Sequence, residues 1–487
     1  MRTINLARAY LLTVLVSLPL FGCGGPSGSS RFVFIPSPAD STVSVRICLL
    51  SGLNENPPAL PSLAWSSAWA LLGPSSETRE QTINQLTSIG ANVSFAVGFD
   101  VTVIEARCPA SKWERCTQAV CDLICSDPSV GLKKDRLLAA RRDWMAHFRQ
   151  DASALAAAAF CGYPIQDSTD AQNEEVSSML QSFWRTNYTR DNYVAGVTGP
   201  VTEAAARALD EQLQKRLPSG RPQRISPVSA PFDGLNVRVI GQVGATSVTF
   251  CLGRPADAAP SDTLTAVLAL VTQQLSDPKQ GRLNQVLRDD RGLIAGVDAG
   301  MRRALPRVSG EPEYEDFSPD NLISISTEVA PVNALHTLRI ILKELTDLLD
   351  AGLSPEQLKG LRQAIRANFG NASNPQERLS RRLWENGRRV LERPSGESVI
   401  DALTPIQIRQ YLRRVLDPQS LQIVAICPDA SALASQILNG PVSYQYSAEI
   451  DQVAMHRDDQ QYLSFRPFWQ ISKVHIEPGV IPPADSK

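Results

Sequence analysis

The side chains able to do chemistry in this chain are few and scattered. Its 487 residues hold four histidines, His147, His336, His456 and His475. No two lie within four residues of each other, so no helix face carries the i, i+4 imidazole pair that grips a metal. Asp143 and His147 do have that spacing, but a charged pair on a polar helical stretch reads as a solvated face. No Ser/His/Asp or Cys/His arrangement is legible. The oddest stretch is Leu63 to Gly73, "LAWSSAWALLG", where Trp65, Trp69 and Leu72 share one helical face. That face has no ionisable group, and its natural use is core packing.

The start of the chain sets an expected compartment. Arg2 and Arg8 precede the apolar run "LLTVLVSLPLF", too short to span a bilayer, which ends at Gly22-Cys23 before "GGPSGSS". That is signal-peptide architecture, and "LFGC" resembles a bacterial lipobox, with Cys23 as the lipidated first residue of the mature chain. Gly24, rather than aspartate, points to the outer membrane facing the periplasm. An acyl anchor and a flexible tether describe attachment to a membrane of the cell envelope, not passage through it. For an exported chain the eight remaining cysteines, Cys48, Cys108, Cys116, Cys121, Cys125, Cys161, Cys251 and Cys427, are expected in disulfides. Cys108–Cys116 is the simplest bridge. Cys121 and Cys125 share a helical face but lack zinc-ribbon spacing. With Lys+Arg 48 against Asp+Glu 50, nothing favours nucleic acid.

The chain repeats itself. "SVRICL" at Ser44–Leu49 returns as "SVTFCL" at Ser247–Leu252, and "INQL" at Ile83–Leu86 as "LNQV" at Leu283–Val286, at nearly the same offset. Two matches in register predict a duplicated unit of roughly 200 residues. Strands and long helices mix without regular βαβ alternation, which predicts an α+β fold. Strands are expected at 31–35, 44–50, 99–106, 193–197, 247–252, 322–329 and 421–426, with helices between them. "LSPEQL" and "TPIQI" carry capping boxes, Ser354/Gln357 and Thr404/Gln407, each with proline at the first helical position. The expected organisation is a signal peptide (1–22), a tether (23–30), an N-terminal domain (31–215), a Pro/Ser-rich linker (216–235), a C-terminal domain (236–435) and an irregular tail (436–487).

In this order the residues resemble the insulinase/pitrilysin family of zinc metallopeptidases, the inverzincins, and most of all the bacterial and mitochondrial-processing type. "SGLNENPPALPSLAWSSAWALLG" sits where the family has its zinc motif, and "INQLTSIGANVSFAVGFDVTVIEA" resembles its Gly-Ala turn and edge strand. "AAAFCGYPI" resembles its Ala-x-x-Phe-x-x-x-Pro, and "GRLNQVLRDDRGLIAGVDA" a motif of its second domain. The resemblance covers about residues 31 to 470. It implies two homologous α/β-sandwich domains of the LuxS/mitochondrial-processing-peptidase metallohydrolase-like type, forming half of a clamshell.

The resemblance also shows what is missing. The family's His-x-x-Glu-His helix binds zinc through two histidines and activates water with the glutamate. Trp65, Ser66, Ser67, Ala68 and Trp69 stand at those positions, and the third ligand position falls near Ala139 or Ala140. The zinc expected of the family therefore has no ligands, and no cofactor is expected. The family's second domain supplies an arginine and a tyrosine to the substrate carbonyl; here Arg288 keeps the first position and Ala295 replaces the second. The edge strand around Ser94 and Phe95 keeps the propensity to pair with an extended peptide. The expectation is a catalytically inactive, peptide-binding or scaffolding subunit paired as a heterodimer with an active homologue. The alternatives are a metallopeptidase with relocated ligands and a stand-alone envelope peptide-binding lipoprotein.

Overall fold

The computed structural model describes residues 31–480 apart from 58–59, 61, 151, 153–154, 157–172, 221–233, 256–260, 301–321, 371–373, 392–398, 419–420, 440–441, 447–451 and 466–473. The signal peptide, Cys23, the tether and Cys161 lie outside the described residues, as does most of the linker. The first half begins with strands β1 (Phe32–Pro36) and β2 (Thr42–Leu49), then helices α1 (Leu63–Leu72) and α2 (Glu77–Ser88). Ser76 caps α2 by accepting from the Arg79 amide, with Glu77 and Glu80 in the first turn against the positive helix end. Gly90 turns the chain at φ +73° into the hairpin β3 (Asn92–Val97) and β4 (Thr102–Pro109). Helices α3 (Trp113–Ile124), α4 (Lys134–Gln150) and α5 (Asn173–Asn187), strand β5 (Tyr193–Gly199) and helix α6 (Glu203–Arg216) complete this half.

The second half runs β6 (Asn236–Gln242), β7 (Val248–Pro255), α7 (Asp262–Ser276), a π-helical segment (Asn284–Asp289), β8 (Ile294–Gly300) and β9 (Leu322–Val329). Then come α8 (Ala334–Ala351), α9 (Pro355–Gly370), α10 (Pro375–Val390), α11 (Pro405–Val415), β10 (Gln422–Cys427) and α12 (Ala430–Asn439). Both capping boxes form: Ser354 Oγ accepts from the Gln357 amide while Gln357 accepts from the Ser354 amide, and Thr404 and Gln407 do the same.

Sheet topology confirms the duplication. The first sheet is ordered β1-β5-β2-β4-β3, and the second β11-β6-β10-β7-β9-β8, with β11 (Val474–Val480) added at one edge. β1 pairs parallel to β5 as β6 does to β10, and every other equivalent pair is antiparallel. "SVRICL" and "SVTFCL" thus occupy equivalent strands, β2 and β7. The mixed, two-sheet α+β architecture is the one expected.

Each sheet is buried on both faces, and the halves do this for each other. Along β2, Val43, Val45, Ile47 and Leu49 face a core shared with α1, α3, α5 and α6, while Cys48 faces the other way. That second face, with Leu50, Ala96, Val101, Val103 and Val194, is covered by Leu379 and Leu383 of α10. Polar contacts reinforce the seam. Arg46 donates to Ser380 and ion-pairs with Glu105 at 2.7 Å, Glu105 also takes Arg107 at 2.7 Å, and Arg107 reaches Gln376 at 3.2 Å. In return Ile240, Cys251, Val424 and Ile426 of the second sheet join the core of the first half.

Two expectations are corrected. Where they are described, residues 436–487 are no irregular tail: α12 crosses their proposed start, α13 (Gln452–Asp458) and α14 (Gln460–Ser464) follow, and β11 extends the second sheet. Nor are the described cysteines bridged: no disulfide joins Cys48, Cys108, Cys116, Cys121, Cys125, Cys251 or Cys427 among the described residues. All but Cys125 are buried, behaving as small apolar residues, and burial pushes the thiols of Cys48, Cys121 and Cys125 up to about 12. Cys108 and Cys116 do come together, as hydrogen-bonding partners, which lowers the thiol of Cys108 and raises that of Cys116.

Candidate functional site

Helix α1 is held from both ends. The Asn56 side chain accepts from the Ala64 amide at 2.8 Å, and the Gly73 amide closes the helix on the Trp69 carbonyl at 2.7 Å. The Trp69 ring lies over Gly73, where a Cβ would come within 2.9 Å of the indole. The preceding turn fits equally closely. Leu53 and Asn54 donate to the carbonyls of Gly98 and Phe99, and a Cβ on Gly52 would meet the Gly98 oxygen at 2.3 Å. Apart from half-buried Trp69, every residue of α1 is buried, which agrees with its lack of polar periodicity.

Trp65 is 7% exposed and stacks on Trp144 of α4, ring centroids 5.3 Å apart and planes 22° apart. Its other neighbour is Phe95 of β3, at 6.2 Å and 54°. Ala140, one turn before Trp144, is half-buried in the same core, and Ala139 is exposed. The space that two imidazoles, a glutamate and a third ligand would share is therefore filled by stacked indoles. Trp144 escaped the sequence reading; its signal was its place one turn beyond the expected ligand position.

This arrangement does not suit zinc. Trp65 and Trp69 offer only indole N–H donors, with no lone pair for a metal, and Ala68 has no base. Nothing on α1 lowers the pKa of a water or accepts its proton. Among the described residues no three His, Cys, Asp or Glu side chains form a metal-holding group. The hydroxyls of Ser66 and Ser67 are buried, and Ser67 Oγ has no hydrogen-bond partner. The side chains of Asp143 and His147 lie outside the described residues.

The edge strand is where the sequence placed it. Among the described residues β3 pairs only with β4, and the Gly98 amide donates to the Val101 carbonyl at 2.7 Å, which sets the hairpin's alternation. Counting from that pair, Asn92, Ser94 and Ala96 exchange hydrogen bonds with β4, whereas Val93 and Phe95 turn their backbone groups outward. Phe95 is thus at the open edge and in contact with Trp65. Ser94 points its backbone at β4 and its side chain to the opposite face.

Arg288 is not brought to this place. It sits on the π-helical segment, paired with Asp289 at 2.7 Å and donating to the Pro278 carbonyl at 2.7 Å. The pairing raises the Arg288 guanidinium and lowers the Asp289 carboxyl. Ala295 follows on β8, exposed. The buried arginine of this motif is Arg291, which the sequence reading passed over. It meets Asp459 at 2.7 Å, and Asp459 also takes His336 Nε2 at 2.7 Å and the Tyr446 hydroxyl. Burial alone would raise Asp459, but its bonds to His336, Arg291 and Tyr446 outweigh that and hold the carboxyl below the ordinary range. A second buried carboxylate, Glu344, takes Arg282 at 2.7 Å and the Tyr462 hydroxyl at 2.6 Å. These contacts fasten Tyr446, Asp459 and Tyr462 to α8. His336 is thus a structural histidine, and His456 bonds the Tyr444 hydroxyl.

Comparison with known proteins agrees with this geometry. Residues 177–365 match the model of the family described as "Peptidase M16 inactive domain". No curated protein matches the chain. Among solved structures, the peptidase M16 inactive domain from Pseudomonas fluorescens is similar with a TM-score of 0.62 at 16% identity, over 83% of this chain and 97% of that one. The first half of the periplasmic protease PqqL from Escherichia coli gives 0.57 at 15% identity, over 90% of this chain and 96% of that one. Pitrilysin gives 0.54 at 16% identity, over 87% of this chain and only 44% of its own length. The chain thus shares the two-sheet fold of these M16 structures, residues 177–365 match the family's inactive-domain model, and tryptophan and alanine stand at the positions where the resemblance places the zinc ligands and the base.

Proposed function

We propose that the protein is a non-catalytic subunit that holds extended peptide and pairs with an active zinc peptidase of the same fold. The observation that carries this reading is the filled zinc site within a preserved frame: Trp65 and Trp144 stack where metal chemistry would stand, while the β3 edge beside them keeps Val93 and Phe95 turned outward. An outward edge is a template for strand addition. Pairing is supported by size, since the chain spans 44% of pitrilysin, so a second unit of similar size would complete a clamshell. The "LFGC" ending supports lipidation at Cys23 and a place on the outer membrane facing the periplasm.

The test is purification of the full chain from native membranes in mild detergent. Co-purification of a homologue carrying His-x-x-Glu-His, with acyl mass on Cys23, is the expected result. A clean monomer removes the heterodimer and leaves a stand-alone binding lipoprotein. Stoichiometric zinc with chelator-sensitive cleavage by the isolated chain would overturn the reading.

A further inference from the structure

Resting on the lipid anchor proposed at Cys23, we infer that the chain holds the headgroup of an anionic phospholipid where helix α10 meets strand β1. A cleft of about 350 Å³ opens there, lined by β1 from Phe32 to Ile35 and by Arg382, Glu385, Asn386 and Arg389 of α10. These four fall at i, i+3, i+4 and i+7, so they share one helix face. The helix is positive, with five arginines against two glutamates. Most of the charge near β1 is already partnered. Glu385 lies 3.9 Å from Arg381, Arg31 takes Asp191 at 3.4 Å, and Arg207, over the Phe32 ring, takes Glu203 at 2.7 Å. Arg382 and Arg389 are exposed and, among the described residues, make no ion pair. Their open guanidinium donors suit a phosphate diester, which they bind by charge-assisted hydrogen bonds. Phe34 and Ile35 are half-buried, so the opposite wall offers apolar surface to the part of a lipid just below its phosphate.

The chain ahead of β1 argues for a membrane lipid as the source of that phosphate. Eight peptide links separate Cys23 from Arg31, a reach of at most about 29 Å. With acyl chains on Cys23, the start of β1 is held near the bilayer, and the cleft runs along that strand. A link this short keeps headgroups beside Arg382 and Arg389 at an effective concentration of millimolar order, so modest affinity suffices. The chain as a whole is nearly neutral, with Lys+Arg 48 against Asp+Glu 50, so the attraction is local to this face. An acyl anchor joined to a basic patch is a two-signal attachment. It also sets an orientation: β1 and β3 are opposite edges of the first sheet, so a bilayer at β1 leaves β3 facing away.

The test is native mass spectrometry of the full chain in a mild neutral detergent, given equal amounts of phosphatidylglycerol and zwitterionic phosphatidylethanolamine. Retention of one phosphatidylglycerol, preferred about tenfold, is the expected result. Arg382→Gln with Arg389→Gln should cut that preference to about twofold or less. Arg389→Lys, which keeps the charge, should retain most of it, and Arg115→Gln, at an exposed arginine of α3, should leave it unchanged. Equal retention of the two lipids, or a preference that survives the double substitution, overturns the site. Displacement of the lipid by an equal concentration of glycerol 3-phosphate would mark a site for a soluble phosphate ester and also overturns it. The mass of the same species reads the anchor separately. An unmodified Cys23 with the preference intact removes the anchor and keeps the headgroup site, whereas an acylated Cys23 without the preference removes the site and keeps the anchor.

Discussion

The indole of Trp65, on the helix that would carry the metal ligands, stacks at 22° on that of Trp144, on the helix that would carry the third, 5.3 Å away. Two elements that an active relative would join through an ion are here joined through an aromatic pair. Trp144→Ala would open a cavity behind a buried helix and should cost about 3–5 kcal/mol, read from denaturant melts. A loss under about 1 kcal/mol would mean that the stack is not what holds α4 to α1.

Rebuilding the motif should not rebuild the enzyme. The triple substitution Trp65→His, Ala68→Glu and Trp69→His supplies two ligands and a base, but Ala139 and Ala140 supply no third ligand. Elemental analysis is expected to find less than one zinc per chain. The variant should also melt earlier, since the new carboxylate would replace the methyl group of Ala68, a residue only 1% exposed. Stoichiometric zinc would show that another side chain completes the site.

The bend at Gly52 leaves no room for a side chain. A methyl group there meets the Gly98 oxygen at 2.3 Å, so Gly52→Ala must shift the β3–β4 hairpin or the turn before α1. We expect a destabilisation of about 1–3 kcal/mol, seen as a lower melting temperature. An unchanged melt would show that this approach relaxes freely.

Acid should loosen the second half through Asp459. Its carboxyl is held below the ordinary range, so the stability it contributes is complete above the unfolded-state value and is lost as pH falls through the folded one. The melting temperature is expected to fall as pH drops below about 4, and Asp459→Asn should flatten that slope while lowering stability at neutral pH. A parallel slope in the variant would assign the acid sensitivity elsewhere.

Much of this was legible because local chemistry and tertiary demand coincide. The alternating residues of β2 and the boxes at Ser354 and Thr404 specify their elements directly, and the repeat of "SVRICL" told that one topology occurs twice. The β3 edge followed from the resemblance. What escaped has non-local causes. α10 is charge-rich, with Leu379 and Leu383 as its two deeply buried apolar anchors, and those serve a sheet more than 170 residues earlier in the chain. The placing of Gln445, Asp459 and Tyr462 depends on Asn333, His336 and Glu344, which no local window contains. The cysteines misled for a related reason: their count suits an exported framework, but six of the seven described are packed into the core.

The cover that α10 lends to the first sheet has a bearing on how the chain is made. When the first half, ending near Arg216, has left the ribosome, one face of its sheet, with Leu50, Val101, Val103 and Val194, still waits for Leu379 and Leu383, made more than a hundred positions later. Until Leu379 and Leu383 arrive, that face is open to wrong partners, and the closing contacts are long-range and therefore slow. The proposed export of the chain before it folds would suit this order: neither half need be finished until both have crossed.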